Sequence, residues 1–280
     1  MTIKEALNKG TFMLKNNNIE TPKLKARLLL QFTLNKTREH LIIYDNENIS
    51  QDKEILYFKY IDKLIQGIPL QYITNTQEFM KMSFFVNDNV LIPQPDTEIL
   101  VEETIKIAKR IKKPTILDLC TGSGAIAVSL KKYLQDSIVY ASDISPKALE
   151  VAKRNAKNNN VEVNFFESDL FENLPNIKFD IIVSNPPYIK KDVIKTLDKE
   201  VQNEPRLALD GGIDGLDFYR KIVNDGYHYL KYNSYLCLEI GYDQKEEVME
   251  IIKNERKYIN TYCLKDLYDN NRVIVTRVGD

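Results

Sequence analysis

From Ile3 to about Gly67, apolar positions recur at helical spacing: Ile3, Ala6, Leu7, Phe12 and Leu14, then Leu24, Leu28, Leu29 and Phe32. A period near 3.6 predicts amphipathic helices. Thr37 is placed to cap a short helix holding Leu41 and Ile42. Ser50 is placed to cap one running through Ile55, Leu56, Phe58, Ile61 and Leu64 until Gly67 and Pro69 stop it. Between Gln71 and Val90 the pattern turns β-rich, as in Met80 to Val86 before Asn87-Asp88-Asn89, which predicts a hairpin. A helix from about Thr97 to Lys113 follows. Apolar runs then alternate with helical stretches: Thr115 to Leu119, Ile138 to Ala141, Val161 to Phe166, Phe179 to Val183 and Tyr235 to Ile240. Strands alternating with helices predict a parallel sheet covered on both faces, a doubly wound α/β domain. Arg272 to Arg277 reads as an edge strand.

Length fits this division, since 280 residues make one large or two modest domains. The expected organisation is a helical domain over 1–70, a hairpin connector over 71–90 and an α/β domain over 91–280. With 43% hydrophobic residues, 10 Gly and 10 Pro, the chain is neither collagen-like nor wholly disordered. Lys and Arg number 39 against 40 acidic residues, so the basic footprint of a dedicated nucleic-acid binder is missing. Three cysteines without a C-x-x-C pair and two distant histidines support neither a disulfide framework nor a zinc site. No signal sequence and no apolar run of membrane-spanning length occur. A cytoplasmic protein is expected.

The chemistry gathers at predicted strand ends. The first strand runs from Asp118 through Leu119 and Cys120 into Thr121-Gly122-Ser123-Gly124 and then a helix. Two glycines let backbone approach a ligand, and the residues that phosphate-cradling loops need are missing, so a phosphate-free nucleoside fits better. A simple tight turn is the plainer reading. Asp143 ends the second strand, 21 residues after Gly122. An acid at this spacing can accept from both ribose hydroxyls, or it can simply help cap the next helix with Ser145 and Pro146. After the third strand, Asp169 could accept from an exocyclic amine and Leu170 could contact a ring. The fourth strand runs into Asn185-Pro186-Pro187-Tyr188. Consecutive prolines fix φ and remove donors, leaving a rigid acceptor surface. A planar NH2 group could donate to the Asn185 oxygen and the Pro186 carbonyl while the Tyr188 ring packs on its face. A strand terminator would explain Pro186 and Pro187, but not the flanking Asn and Tyr.

Asp-x-x-Thr-Gly-Ser-Gly, Asp143 and Asn-Pro-Pro-Tyr together resemble class I S-adenosylmethionine-dependent methyltransferases acting on a planar nitrogen. Further blocks are similar to the HemK/PrmC family of protein-(glutamine-N5) methyltransferases: Gly67 to Ile73, Val90 to Glu98, Glu204 to Gly212, and Leu238 to Gly241. The similarity covers nearly the whole chain. It implies a class I, Rossmann-like sheet with a small helical N-terminal domain. It also implies methylation, with S-adenosylmethionine, of the glutamine in the Gly-Gly-Gln motif of class I peptide-chain release factors. The cofactor would lie against Cys120, Thr121, Gly122, Ser123, Gly124, Asp143, Asp169, Leu170 and Asn185. Asn185, Pro186, Pro187 and Tyr188 would hold the target, with Asn185, Pro186 and Tyr188 as the catalytic group. A monomer with neither membrane nor DNA as partner is expected. A sibling activity on a large-subunit ribosomal protein and an adenine-N6 nucleic-acid methyltransferase are the rival activities, and a non-catalytic cofactor-binding module is a third reading. Two positions depart from the family pattern: Gln94 stands where arginine is usual, and Cys120 where glycine is common.

Overall fold

The computed structural model describes residues 1–279, and among them the chain forms two compact units. One comprises Met1–Asn75 with Asp198–Asn203; the other comprises Thr76–Leu197 and the chain from Glu204 onward. No helix among the described residues is long and apolar enough to cross a membrane.

The first unit is helical: α1 (Ile3–Asn16), α2 (Pro22–Leu34), α3 (Arg38–Ile43), α4 (Gln51–Ile65) and α5 (Leu70–Thr74). A capping box starts α1, where the Thr2 hydroxyl accepts from the Glu5 amide at 3.2 Å and the Glu5 carboxylate accepts from the Thr2 amide at 2.8 Å. Thr37 caps α3 by accepting from His40 N–H. Ser50 stands at the N-terminus of α4 without a side-chain capping bond. The core of the unit gathers around Tyr57, whose hydroxyl donates to the Ala26 carbonyl at 3.2 Å. Gly10 makes that approach possible, because a Cβ there would lie 2.2 Å from the Tyr57 hydroxyl. On α2 the buried positions are Ala26, Leu29, Leu30 and Thr33. Leu24, Leu28 and Phe32 are instead 43%, 36% and 42% exposed, an apolar stripe that the helix turns to solvent.

The second unit opens with a hairpin, β1 (Gln77–Phe79) and β2 (Met82–Phe84). Its two-residue turn, Met80-Lys81, is left-handed at both positions, as the right-handed strand twist demands. Then come α6 (Thr97–Ala108), β3 (Thr115–Leu119), α7 (Ala125–Tyr133), β4 (Ile138–Asp143), α8 (Pro146–Asn158), β5 (Asn164–Glu167) and β6 (Phe179–Ser184). Single-turn helices α9 (Lys199–Gln202, in the first unit) and α10 (Arg206–Leu209) precede α11 (Asp217–Gly226), β7 (Leu230–Glu239), α12 (Lys245–Asn254), β8 (Tyr258–Lys265) and β9 (Asn271–Val278). Helix α6 stops at Ala108, short of the Lys113 expected from the sequence. Pro114 disfavours helical backbone at Lys113, which is left-handed with φ of 51°.

The seven strands lie in the order β5-β4-β3-β6-β7-β9-β8, with β5 to β7 parallel and β9 antiparallel to both neighbours. The segment expected as an edge strand, Arg272 to Arg277, is therefore interior. Its neighbour β8 forms the edge, and that strand carries two register shifts and a left-handed Asn260. Alternation along β3 and β9 divides the core. Ile116, Val273 and Val275 face α6 and α7, whereas Leu117, Leu119 and Ile274 face α11 and α12. Strand order reverses between β3 and β6, and ligands of open α/β sheets bind beyond the strand ends at such a switch point.

Candidate active site at the sheet switch point

The sheet register brings the strand ends together. Leu119 pairs with Ser142 of β4 and with Ser184 of β6, and Asp143 pairs with Glu167 of β5. The Ser184 hydroxyl fastens the central pair by donating to the Leu119 carbonyl at 2.8 Å. Cys120, Asp143, Asp169 and Asn185 thus leave four neighbouring strands into one cleft. It has a cavity volume of about 110 Å³, opens to solvent, and is lined also by Gly122, Leu170 and Pro187. A smaller cavity of about 50 Å³ shares Cys120, Gly122 and Asn185 with it and adds Gln94, Thr97, Thr121 and Ser123.

The glycine turn is shaped by hydrogen bonds around two carboxylates. Asp118, wholly buried, accepts from the Thr121 hydroxyl at 2.6 Å and the Ala127 amide at 3.1 Å. Burial pushes its carboxyl up to about 7. Asp143 accepts from Gly122 N–H at 2.8 Å and Ser145 N–H at 2.9 Å, which aims the carboxylate while leaving lone pairs for a ligand. Burial raises its carboxyl as well, and the backbone N–H groups of Ser145, Gly122 and Ile144 oppose the rise. Ser145 itself caps α8 by accepting from Ala148 N–H. The two glycines differ in use. At Gly122 a Cβ would meet nothing within 4 Å, whereas at Gly124 it would lie 3.0 Å from the Cβ of Ala152, so Gly124 serves the packing of α7 on α8. Asn155 binds this turn from behind, donating to the Ser123 carbonyl at 2.9 Å. Cys120 and Leu170 are both left-handed, with φ of 59° and 47°, an uncommon conformation for residues with side chains. Strained backbone of this kind clusters at ligand sites. Burial drives the Cys120 thiol far above its ordinary range, so it sits in the cleft as a neutral side chain.

Asn185 is held by its nitrogen. Nδ2 donates to the Thr97 hydroxyl at 3.2 Å, which leaves Oδ1 as the end able to accept from a ligand. Pro186 is buried and Pro187 lines the cleft. Tyr188 lines neither cavity. Its ring packs on the α11 and α12 side of the core, its carbonyl accepts from Gln244 Nε2 at 3.0 Å, and its hydroxyl faces Glu239 and Arg272. Its place next to Asn185 therefore braces the strand end from beneath. The Tyr188 phenol is pushed upward by burial.

Several residues outside the expected set complete the cleft. Asn89, Val90 and Leu91 line it on one side and Pro205, Leu207 and Ala208 on another. Glu204 joins these segments, its buried carboxylate accepting from Ile92 N–H at 2.8 Å. Burial pushes Glu204 up to about 7. Beneath Asn185, Glu239 at the end of β7 is 2% exposed and likewise pushed up to about 7 by burial. Arg272 pairs there with Asp96 at 3.0 Å and Asp266 at 3.1 Å. The sequence signal for Thr97, Glu204 and Glu239 lay in blocks whose resemblance was visible but whose chemistry was not.

Comparison with known proteins agrees with this geometry. Residues 5–74 match the PrmC N-terminal domain and residues 94–210 the methyltransferase small domain. A release factor glutamine methyltransferase from Clostridium acetobutylicum is 41% identical over all of this chain and 99% of its own length. One from Moorella thermoacetica is 39% identical over 97% of each chain. Among solved structures, a methyltransferase from Pyrococcus furiosus covers 82% of this chain and all of its own, with a TM-score of 0.53 and 16% identity. The T. thermophilus 16S rRNA N2 G1207 methyltransferase, solved with AdoMet and guanosine, covers 72% of this chain and 49% of its own, with a TM-score of 0.51 and 17% identity. These two likenesses describe the fold. Identity sustained over the full length, with the N-terminal unit included, places the chain in the release factor glutamine methyltransferase (PrmC) family.

Proposed function

We infer that this protein methylates the side-chain nitrogen of the glutamine in the Gly-Gly-Gln motif of class I peptide-chain release factors, using S-adenosylmethionine. The observation that carries this reading is the acceptor end of Asn185 left free at the cleft of the switch point, in a chain that matches its relatives from end to end.

The cleft fits the cofactor. Asp143, Asp169 and Leu170 line the larger cavity and Gly122, Ser123 and Thr121 the smaller; Asp143 would accept from the ribose hydroxyls, Asp169 and Leu170 would hold the adenine, and the glycine turn would receive the methionine portion. S-adenosylmethionine supplies an electrophilic sulfonium methyl. An amide nitrogen is a weak nucleophile because its lone pair is delocalised, so these residues must position it. Asn185 Oδ1 and the Pro186 carbonyl accept from its two N–H bonds and hold the nitrogen in line; positioning of this kind supplies roughly 7 to 11 kcal/mol in well-oriented reactions. The methylated nitrogen is strongly acidic and sheds its proton to a nearby acceptor or water, so no strong base has to act first. Replacing Asp143 by Ala is expected to weaken cofactor binding by about 1.5 to 3 kcal/mol, the worth of charge-assisted hydrogen bonds. Calorimetry showing parental affinity in a folded variant would overturn the ribose assignment.

The helical unit serves to dock the release factor. Its exposed stripe of Leu24, Leu28 and Phe32 is the kind of apolar surface that marks a protein-binding face. Leu28→Glu should raise KM for intact release factor severalfold while leaving cofactor affinity unchanged; an unchanged KM would remove the stripe from the docking surface. The reading carries with it a monomeric enzyme in the cytoplasm, with neither DNA nor membrane as partner.

The deciding experiment incubates the protein with labelled S-adenosylmethionine and, separately, a release factor, large-subunit ribosomal proteins and DNA. Mass mapping is expected to place the methyl group on the Gly-Gly-Gln glutamine. Label on a ribosomal protein or on adenine instead would refute the assignment.

A further inference from the structure

The two ends of the Asn185 amide are nearly identical in shape, yet only one of them can accept a hydrogen bond. Which end faces the cleft is therefore decided by the hydrogen-bond network behind the side chain. Nδ2 donates to the Thr97 hydroxyl at 3.2 Å, and Thr97 is 5% exposed, so water does not compete for the contact. A hydroxyl has one proton to give. The carboxyl of Glu239 is the neighbouring acceptor for it, and the Thr97 and Tyr188 hydroxyls both favour the charged form of that carboxyl.

We propose that Glu239 and Thr97 are positioning residues that form a directional relay, turning the oxygen of Asn185 toward the acceptor amide. An ionised Glu239 can only accept, so the Thr97 proton points at it and the Thr97 lone pairs require a donor from Asn185. Oδ1 is then left for the cleft. A protonated Glu239 relaxes that requirement. It can donate to Thr97, whose own proton is then free to turn to Oδ1, and the NH2 end of Asn185 faces the cleft. That end cannot accept from a substrate N–H. Protonation of the carboxyl is eased because Glu239 Oε2 is buried without a hydrogen-bond partner, which leaves the ionised form poorly solvated.

The groups facing this carboxyl come from four elements. Arg272 of β9 favours its charge and Asp96 before α6 opposes it, while Arg272 is itself shared with Asp96 and Asp266. Tyr188 follows β6, and Tyr219 of α11 donates to the Glu239 carbonyl at 2.9 Å. Burial outweighs these and brings the carboxyl to about 7. Protonation occurs as pH falls through that value, so the productive amide orientation is lost on the acid side.

The relay rests on the proposed function only for what Oδ1 receives; the orientation of the amide can be read without any substrate. In the full-length protein with 15N-labelled asparagine, the Asn185 side-chain NH2 resonance is identified by its loss in Asn185→Asp. It is expected to titrate near neutrality in the parent, to stop titrating in Glu239→Gln and Thr97→Val, and to titrate in Thr97→Ser. In parallel, kcat of the parent should fall on the acid side and that limb should vanish in Glu239→Gln. Thr97→Val should lose roughly tenfold in kcat, the cost of one lost hydrogen bond, with unchanged affinity for S-adenosylmethionine, and Thr97→Ser should restore it. An NH2 resonance indifferent to pH in the parent, or Thr97→Val turning over at the parental rate, overturns the relay. A titrating resonance in a parent that methylates no release factor leaves the relay standing and refutes the proposed function instead.

Discussion

Asn185→Ala should yield a folded protein that binds S-adenosylmethionine almost as the parent does and turns over at least roughly 10²-fold more slowly. The side chain lines both cavities; in the proposed reaction its oxygen is the part that meets the acceptor amide, and the cofactor's ribose and adenine are assigned to Asp143, Asp169 and Leu170. Removing it abolishes the alignment of a nucleophile that is intrinsically poor. Stability should change little, since Asn185 is only half-buried and its one bond, to Thr97, links a side chain to a side chain. Single-turnover kinetics separate the effect from product release. Methyl transfer at the parental single-turnover rate would refute the role of the oxygen.

Gly211→Ala is the other substitution with a large expected effect, and it touches no ligand. The segment after Tyr188 pairs with the chain after α10: Ile189 N–H donates to Leu209, and Gly211 N–H donates back to Ile189 at 2.9 Å. A Cβ at Gly211 would lie 2.7 Å from Tyr188 Cα, 2.8 Å from its carbonyl carbon and 2.9 Å from the Pro187 oxygen. These are backbone atoms, and they cannot swing aside as a flexible side chain would. Overpacking of this order costs about 1 to 3 kcal/mol, and its relief has to displace the very strand end that carries Asn185. A displacement of about 1 Å there is enough to lower turnover roughly 10²-fold. Gly226→Ala is the control, because its added methyl would meet its nearest neighbours at 3.4 and 3.6 Å, ordinary contact distances. Equal melting temperatures and activities for the two variants would contradict this account.

How much of this was legible in the sequence depended on how local each signal is. Strands β3, β4 and β6 are short apolar runs ending in Asp118 to Cys120, Asp143 and Asn185, so sheet and chemistry were announced together. The other half of the sheet was harder. In β8 the polar Asn260 and Thr261 and two register shifts break the period of two, and the strand escaped notice. β7 begins at Leu230, five residues before the apolar run from Tyr235, because Lys231 to Asn233 are exposed. On α2 the apolar residues cover more than one face, so spacing alone did not show that Leu24, Leu28 and Phe32 face outward. The rim residues Val90, Leu91, Leu207 and Phe218 are apolar side chains of ordinary type from segments far apart in the chain. Only the fold gathers them. Glu239 was equally silent, because a glutamate is usually a solvated charge, and its burial is decided by the residues packed over β7 and β9.

The irregular edge of the sheet has a consequence for the protein in bulk. An open strand edge is a template on which another molecule can add its own strand, the first step toward insoluble assemblies. Here the shifts at Ile259/Tyr262 and Leu264/Lys265, with left-handed Asn260 between Ile259 and Thr261, interrupt the row of donors and acceptors along β8. Bulges of this kind also increase local twist, so an incoming strand finds no long flat stretch to match. Lys265 adds a charge at the end of the edge, a further deterrent to stacking. Along this edge of the sheet, crowded molecules are thereby offered a poor template for recruiting one another through the backbone.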